Sequence, residues 1–232
     1  MALKEYSAII KKIENQSDSV RLFTIEYSEE LEFKAGQFVN LSFEEEGEKY
    51  MRPYSIASNP TYKNSLQLSI KLVPDGKVTP HLWNKKEGDN VTLKGPFGLF
   101  TVRNKKEKIV FIGTGTGVAP LRSMIQDLIY NKQCEKQITL VFGVRYENEI
   151  LFKDEFEKLE KENTHFKYLQ VISKPTESWL GRTGHVHMNF ESIDILNSEF
   201  YICGLPAMFD SAKAKLKELG ADESQIYHEV FR

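Results

Sequence analysis

Hydrophobic and polar positions change rhythm partway along this chain of 232 residues. Up to position 102 the apolar residues fall in short runs broken by turns, over 6–13, 20–26, 38–43, 50–57, 66–73 and 91–93, with no long amphipathic helix. Lys34-Ala35-Gly36-Gln37 leads into one run, the acidic stretch 44–49 reads as a solvated hairpin tip, and Pro74-Asp75-Gly76 and Glu87-Gly88-Asp89 supply turn chemistry. After a charged, apolar-poor stretch at 103–108 the pattern alternates. Strands are predicted over 109–112, 138–144, 166–172, 200–203 and 226–230, with helices from Pro120, over 152–162, near 188–197 and over 207–219. Short strands at such spacing build a barrel or sandwich, whereas alternating strands and helices build a parallel sheet covered on both faces. The pattern therefore divides the chain at 103–108 into an antiparallel barrel or sandwich and an α/β domain with a parallel sheet.

The richest chemistry follows the first strand of the second half. Gly113, Thr114, Gly115, Thr116 and Gly117 come directly after the apolar run 109–112. Glycines at alternate positions let the backbone turn sharply and bring several amide N–H groups to one point, which suits a phosphate. Pro120 is placed as the first residue of a helix whose core stripe is Leu121, Met124, Ile125, Leu128 and Ile129, and the positive end of that helix faces the loop. The pattern Gly-x-Gly-x-Gly is neither the dinucleotide fingerprint nor a P-loop, so a tight connection explains it as well as a phosphate site does.

Charge narrows the choice of partners. With 31 basic and 33 acidic residues the net charge is −2, which leaves no global field to recruit nucleic acid or an anionic membrane. No apolar run approaches the roughly 20 residues that span a bilayer, and the start has no signal-peptide pattern, so a cytoplasmic protein without membrane insertion is expected. Cys134 and Cys203 are too few for a disulfide framework or an iron–sulfur cluster within these residues. His185 and His187 form a His-x-His pair without an evident third ligand, no metal site is assigned, and His81 beside a turn reads as structural.

Two further motifs stand out in the first half, Arg52-Pro53-Tyr54-Ser55-Ile56-Ala57-Ser58 and Gly95-Pro96-Phe97-Gly98-Leu99-Phe100. On a regular strand Arg52 and Tyr54 share one face and Ser55 takes the other, although Pro53 leaves that register open. With the loop 113–117, the Cys203-Gly204 pair followed by Pro206, and the terminal Glu229-Val230-Phe231, these motifs occur in the order and spacing of one family. The chain resembles the ferredoxin-NADP reductase family, without a fused iron–sulfur domain, and the resemblance implies a two-domain architecture: an N-terminal antiparallel Greek-key β-barrel that binds flavin over 1–104, followed by a C-terminal α/β parallel-sheet nucleotide-binding domain over 105–232.

The resemblance implies a role for each motif. Arg52 would bind a flavin phosphate, Tyr54 would lie against the isoalloxazine ring, and Ser55 would hydrogen-bond flavin N5, with Pro53 between them. Ile70, Lys71 and Val73 belong to the strand whose backbone lines the flavin, and Gly76, Lys77, Val78 and Thr79 to a turn that cradles its phosphate. Gly113, Thr114, Gly115, Thr116, Gly117, Cys203 and Gly204 would hold the nicotinamide nucleotide. Phe231 would stack on the flavin face, and Glu229 would orient the nicotinamide or move protons. Ser55, Cys203, Glu229 and Phe231 are thus the implied catalytic set.

Arg145, Lys174 and Arg182 resemble the cations that meet a 2′-phosphate, which points to NADPH, with NADH the alternative. Glu147 and Glu149 stand close enough to Arg145 in sequence to explain it as a surface ion pair instead. The implied cofactor is FAD rather than FMN. The implied activity is a flavoprotein oxidoreductase in which NADPH delivers a hydride to flavin N5 in the cleft between the domains, and single electrons pass to ferredoxin, flavodoxin or an iron–sulfur or oxygenase component. A reductase of free flavin and an electron-transfer subunit of a larger complex are the alternatives. Lys63, Lys85, Lys86, Lys105 and Lys106 could form a docking patch if the fold gathers them.

Overall fold

The computed structural model describes residues 4–231. Two compact units divide the chain, one of Met1–Thr101 with Arg122–Lys132, the other of Val102–Leu121 with Gln133–Arg232.

The first unit contains β1 (Glu5–Ser17), β2 (Val20–Tyr27), β3 (Phe38–Glu45), β4 (Glu48–Ser55), β5 (Ser65–Lys71), the short helix α1 (Thr79–Asn84) and β6 (Asn90–Phe97). Bonded neighbours run β4-β3-β6-β1-β2-β5, every pair antiparallel, and seating β6 between β3 and β1 takes a Greek-key return. A bridge from Ile56 to Leu68 ties the exit of β4 to β5 and closes the sheet into a barrel. The interior follows from the strand period of two: β2 turns Phe23, Ile25 and Tyr27 inward to meet Ile10, Leu41, Leu66 and Leu68. The acidic hairpin tip is where the sequence places it. Glu45 pairs with Glu48, and Glu46 and Gly47 take positive φ of 52° and 80°, the two-residue turn whose twist matches the strands.

The second unit contains β7 (Lys108–Thr114), the first part of α2 (Val118–Gln126), β8 (Gln137–Val144), α3 (Lys153–Glu162), β9 (Phe166–Ile172), β10 (Arg182–Thr183), β11 (Ser198–Gly204), α4 (Pro206–Glu218) and β12 (Ile226–Val230). All six strands are parallel, in the order β10-β9-β8-β7-β11-β12. Every residue of β11 is buried, as burial on both faces requires. Positions 122–126 of α2 and the π-helical turn Asp127–Asn131 that follows belong to the first unit.

Both expected architectures are present, with local differences. α2 begins at Val118 after a 3-10 turn at Gly115–Gly117, so Pro120 is its third residue rather than its first; it stays within the first turn, where its missing N–H has no helical acceptor to lose. The helix predicted near 188–197 is instead a 3-10 turn, Val186–Met188, and irregular chain. Side chains there bond the backbone in competition with a helix: Asn189 Nδ2 donates to Thr183 O (3.1 Å) and His185 O (3.0 Å), and Ser198 Oγ donates to Asp194 O (2.5 Å). No helix of the described residues is long and apolar enough to cross a membrane.

The charged stretch 103–105 is fastened to the second unit. Glu199, fully buried in β11, accepts hydrogen bonds from the N–H groups of Asn104 (2.9 Å) and Lys105 (3.0 Å), and the Tyr201 hydroxyl accepts one from Arg103 N–H (2.6 Å). Glu199→Ala strands two donors and should destabilise the protein by roughly 2–3 kcal/mol, measured as a fall in the urea midpoint; an unchanged midpoint would show that these amides find water instead.

Candidate functional site

In the first unit the motif at 52–55 occupies the end of β4. This strand bonds to β3 on one side, with Leu41 opposite Arg52, Asn40 opposite Pro53, Val39 opposite Tyr54 and Phe38 opposite Ser55. The register runs unbroken through Pro53, because a strand with one ladder partner can turn the missing N–H to its other side. Arg52 and Tyr54, two residues apart, therefore share a face.

Their environments differ. Arg52 is exposed and has no ion-pair partner among the described residues. Tyr54 packs against the barrel core, and its hydroxyl is buried without a hydrogen-bond partner in the structure. Burial pushes the Tyr54 phenol up to about 12, against the opposing pull of Arg52, so it remains a neutral donor. Ser55 is buried. An unsatisfied buried phenol beside an unpaired guanidinium fits a ligand with an apolar ring and a phosphate.

At the far end of β5, Ile70 turns into the core while Lys71 and Val73 are exposed. The turn that follows is built by Thr79, whose hydroxyl accepts the Val73 N–H (2.9 Å) and donates to Val73 O (3.2 Å); Gly76 N–H closes it onto Val73 O (2.9 Å). The Thr79 hydroxyl is thus already engaged. Lys77 is exposed and Val78 is buried. His81 lies in a structural group, its ring 4.3 Å from that of Tyr50 and its Nδ1 3.6 Å from Glu45.

The parallel sheet of the second unit gathers its special residues beyond the carboxyl ends of its strands. The three glycines after β7 serve different needs. A Cβ on Gly113 would come within 2.8 Å of Leu121, and one on Gly117 within 2.3 Å of the Cys203 carbonyl oxygen, so both permit close packing. Gly115 has φ +52° and nothing within 4 Å of an added Cβ, so it supplies a backbone conformation on an open side. Thr114 and Thr116 are half-buried; the Val118 N–H turns back onto the carbonyls of Gly115 and Thr116, whereas the opening amides of the 3-10 turn have no acceptor within it. That open, donor-rich turn fits a phosphate group.

Cys203 stands in register with Gly113 on β7 and Glu229 on β12. Burial, and after it the Glu229 carboxylate, raises the thiol well above its ordinary pKa, so Cys203 is a small neutral group and no nucleophile. Gly204 leaves room for Thr114 Oγ1, which would lie 2.6 Å from a Cβ. Phe231, half-buried, donates its N–H to Gly204 O (3.0 Å).

The cations lie after neighbouring strands. Arg145 follows β8, Lys174 follows β9, and the Lys174 N–H donates to Arg145 O (2.9 Å). Arg182 lies in β10, 3.9 Å from the Glu191 carboxylate. The acidic neighbours of Arg145 are otherwise occupied. Glu149 accepts the N–H groups of Arg145 (3.1 Å) and Tyr146 (3.3 Å), and Glu147 accepts both the N–H and the hydroxyl of Thr176 (2.8 Å each), which holds its carboxyl below the usual range. Neither the Arg145 nor the Lys174 side chain has an ion-pair partner among the described residues, contrary to the surface pairing that proximity suggested.

Two supports for this region were not legible beforehand. Trp179 Nε1 donates to Arg182 O (3.0 Å), and Asn189 fastens Thr183. His185 and His187 stack at 5.7 Å, and no group of three or more His, Cys, Asp or Glu able to hold a metal occurs among the described residues.

Comparison with known families matches residues 7–102 to the oxidoreductase FAD-binding domain and residues 111–214 to the oxidoreductase NAD-binding domain. The chain belongs to the ferredoxin-NADP reductase family. Like other members it is an FAD- and nicotinamide-nucleotide-binding oxidoreductase. It is 32% identical to a subunit of the Na(+)-translocating NADH-quinone reductase of Actinobacillus pleuropneumoniae, covering 79% of this chain and 49% of that one. The chain thus spans about half the length of the curated relatives it matches. Among solved structures it is similar to the cytochrome P450 reductase GcoB of Amycolatopsis, at 25% identity and TM-score 0.89, over 99% of this chain and 70% of that one. The fold is also that of a ferredoxin NADP+ reductase from Neisseria gonorrhoeae with bound FAD and NADP, at 23% identity and TM-score 0.87, over 98% of each chain.

The unequal duties of the glycines in this reductase-family loop are separable. Gly117→Ala should cost roughly 1–3 kcal/mol, because its Cβ meets a fixed carbonyl, whereas Gly115→Asn should cost under about 1 kcal/mol, since Asn tolerates positive φ. Thermal unfolding of the two variants checks the order; equal losses would mean that the loop moves away from Cys203.

Proposed function

We propose that this chain is a reductase that takes two electrons from NADPH and releases them singly to a protein acceptor such as ferredoxin or flavodoxin. Bound flavin supplies the chemistry by accepting hydride at N5 and giving up electrons one at a time. The observation that carries the reading is Arg52, Tyr54 and Ser55 on one strand end, the first exposed and unpaired, the second with a buried hydroxyl lacking a partner. In this reading Arg52 binds flavin phosphate through its planar fork, Tyr54 packs along the ring, and the Ser55 hydroxyl bonds N5. The turn at 76–79 offers its amides, while Thr79 holds the turn in shape.

On the nucleotide side the turn Gly115–Gly117 and the start of α2 bind the pyrophosphate. Cys203 would offer a small neutral surface to the nicotinamide, with Glu229 beside it in register to orient the ring or hold a proton, and Phe231 would be the aromatic that the entering nicotinamide displaces. Arg145 and Lys174, without a carboxylate partner among the described residues, and Arg182, weakly paired, support NADPH. A second reading has support of its own: the relatives named as NADH-quinone reductase subunits favour NADH as the donor and a place within a larger complex.

Arg52→Ala should weaken flavin binding by about 1.5–3 kcal/mol in equilibrium dialysis; full occupancy would remove it from the phosphate site. Anaerobic titration of the gel-filtered protein, first with NADPH and then with NADH, tests the donor. Retained flavin bleached preferentially by NADPH supports the reading, and Lys174→Ala should then raise KM for NADPH about tenfold while sparing NADH. Preferential bleaching by NADH supports the complex-subunit reading. Oxidation of either coenzyme only on addition of free flavin would make flavin a substrate and overturn both.

A further inference from the structure

The polar groups around residues 55–59 are held in a way that barrel packing alone does not require. All five residues are buried, Ile56, Ala57 and Ser58 completely. Sheet-like bonding fades after Ser55: Ile56 N–H donates to Gln37 O (2.9 Å) and Ala57 N–H to Gln67 O (2.8 Å). The next groups are met from α2. Arg122, itself buried, donates through Nη1 to Ala57 O (2.8 Å) and to Gln67 Oε1 (2.9 Å), and Ser123 Oγ donates to Ser58 O (2.6 Å). Asn131, in the π-helical turn, bonds Asn59 in both directions, at 2.6 and 3.3 Å. Met124 seats the same helix over Gly36, where a Cβ would come within 2.2 Å of its terminal methyl.

Placing a guanidinium in a buried position is costly, and for stability alone an apolar side chain of similar volume would often serve as well. What the guanidinium adds is direction. A rigid fork bonding two acceptors at once fixes both the Ala57 carbonyl and the Gln67 side chain, on the two segments that flank the Ile56 to Leu68 bridge. Ser55 is two residues from that carbonyl. Fixing Ala57 and Ser58 therefore limits the rotation of the Ser55 backbone, and with it the position of the Cβ from which its hydroxyl projects.

We propose that Arg122 is a positioning residue that, with Ser123, sets the orientation of Ser55. This rests on the reading in which the Ser55 hydroxyl meets flavin N5. A displacement of an ångström at such a contact is enough to slow a reaction about a hundredfold.

The test compares Arg122→Ala, Ser123→Ala, Ser55→Ala and the double variants with Ser55→Ala, all in the full chain. In flavin-free protein, hydrogen exchange at the Ile56 and Ala57 amides should quicken about tenfold in Arg122→Ala while the amides of β8 hold their rate; unchanged exchange overturns the proposal. In flavin-loaded protein, Arg122→Ala should slow reduction by the preferred coenzyme about tenfold with little change in KM, and adding it to Ser55→Ala should slow that variant no further. Multiplying losses would overturn the proposal and leave Arg122 a residue of the fold. If Arg122→Ala does not fold, Ser123→Ala carries the same cycle and must meet the same non-additive result. Wild-type reduction rates in Ser55→Ala would instead mark failure of the functional reading, and exchange at Ile56 and Ala57 would then decide alone whether Arg122 holds this segment.

Discussion

Burial of the central strands on both faces governs the second unit. β11 exposes none of its residues, and the interior of β7 is equally covered, so neither strand can present a polar side chain to a ligand along its length. Chemistry is pushed to the carboxyl ends, where the backbone stops pairing. Glu199 shows what an ionisable group needs to sit deeper: its carboxylate is matched by amides at both oxygens. The barrel obeys another rule. β4 has a single ladder partner, and the candidate residues there lie along a strand end rather than beyond it.

Much of this organisation could be read from the periodicity of the chain, because both folds depend on local patterns that repeat. Strands at 20–26, 166–172 and 226–230 and the helix near 152–162 are found almost where alternation and helical spacing put them. The failures have a common cause. Around 189–198, Phe190, Ile193 and Ile195 mimic helical spacing, but Asn189, Asp194 and Ser198 spend their polar groups on the backbone, and a period count cannot see that. Arg122 and Ser123 fall outside the apolar stripe of α2, so helical spacing gives no reason for their burial. They are buried because this helix is covered all round, a fact set by distant residues such as Ala57 and Ser58.

The candidate site was legible as motifs and less so as interactions. Glycines at 113, 115 and 117 look alike in sequence, yet only Gly115 has a positive φ, and Gly117 answers to a carbonyl some 86 positions on, in Cys203. Glu147 and Glu149 look like counter-ions for Arg145, yet both carboxylates are drawn to amides, where a fixed donor needs no costly ordering of a long side chain. Charge proximity in sequence is therefore a poor guide to pairing in a loop, since the backbone competes for the same oxygens.

The state of the two thiols sets how this chain meets oxidants. Sulfur reacts with peroxide as thiolate and from solvent, and Cys203 offers neither, being fully buried and held protonated. Cys134 is half-exposed in an irregular segment. Of the two thiols, Cys134 is therefore the one open to oxidants from solvent, and the sulfur at the end of β11 is spared as long as the fold holds.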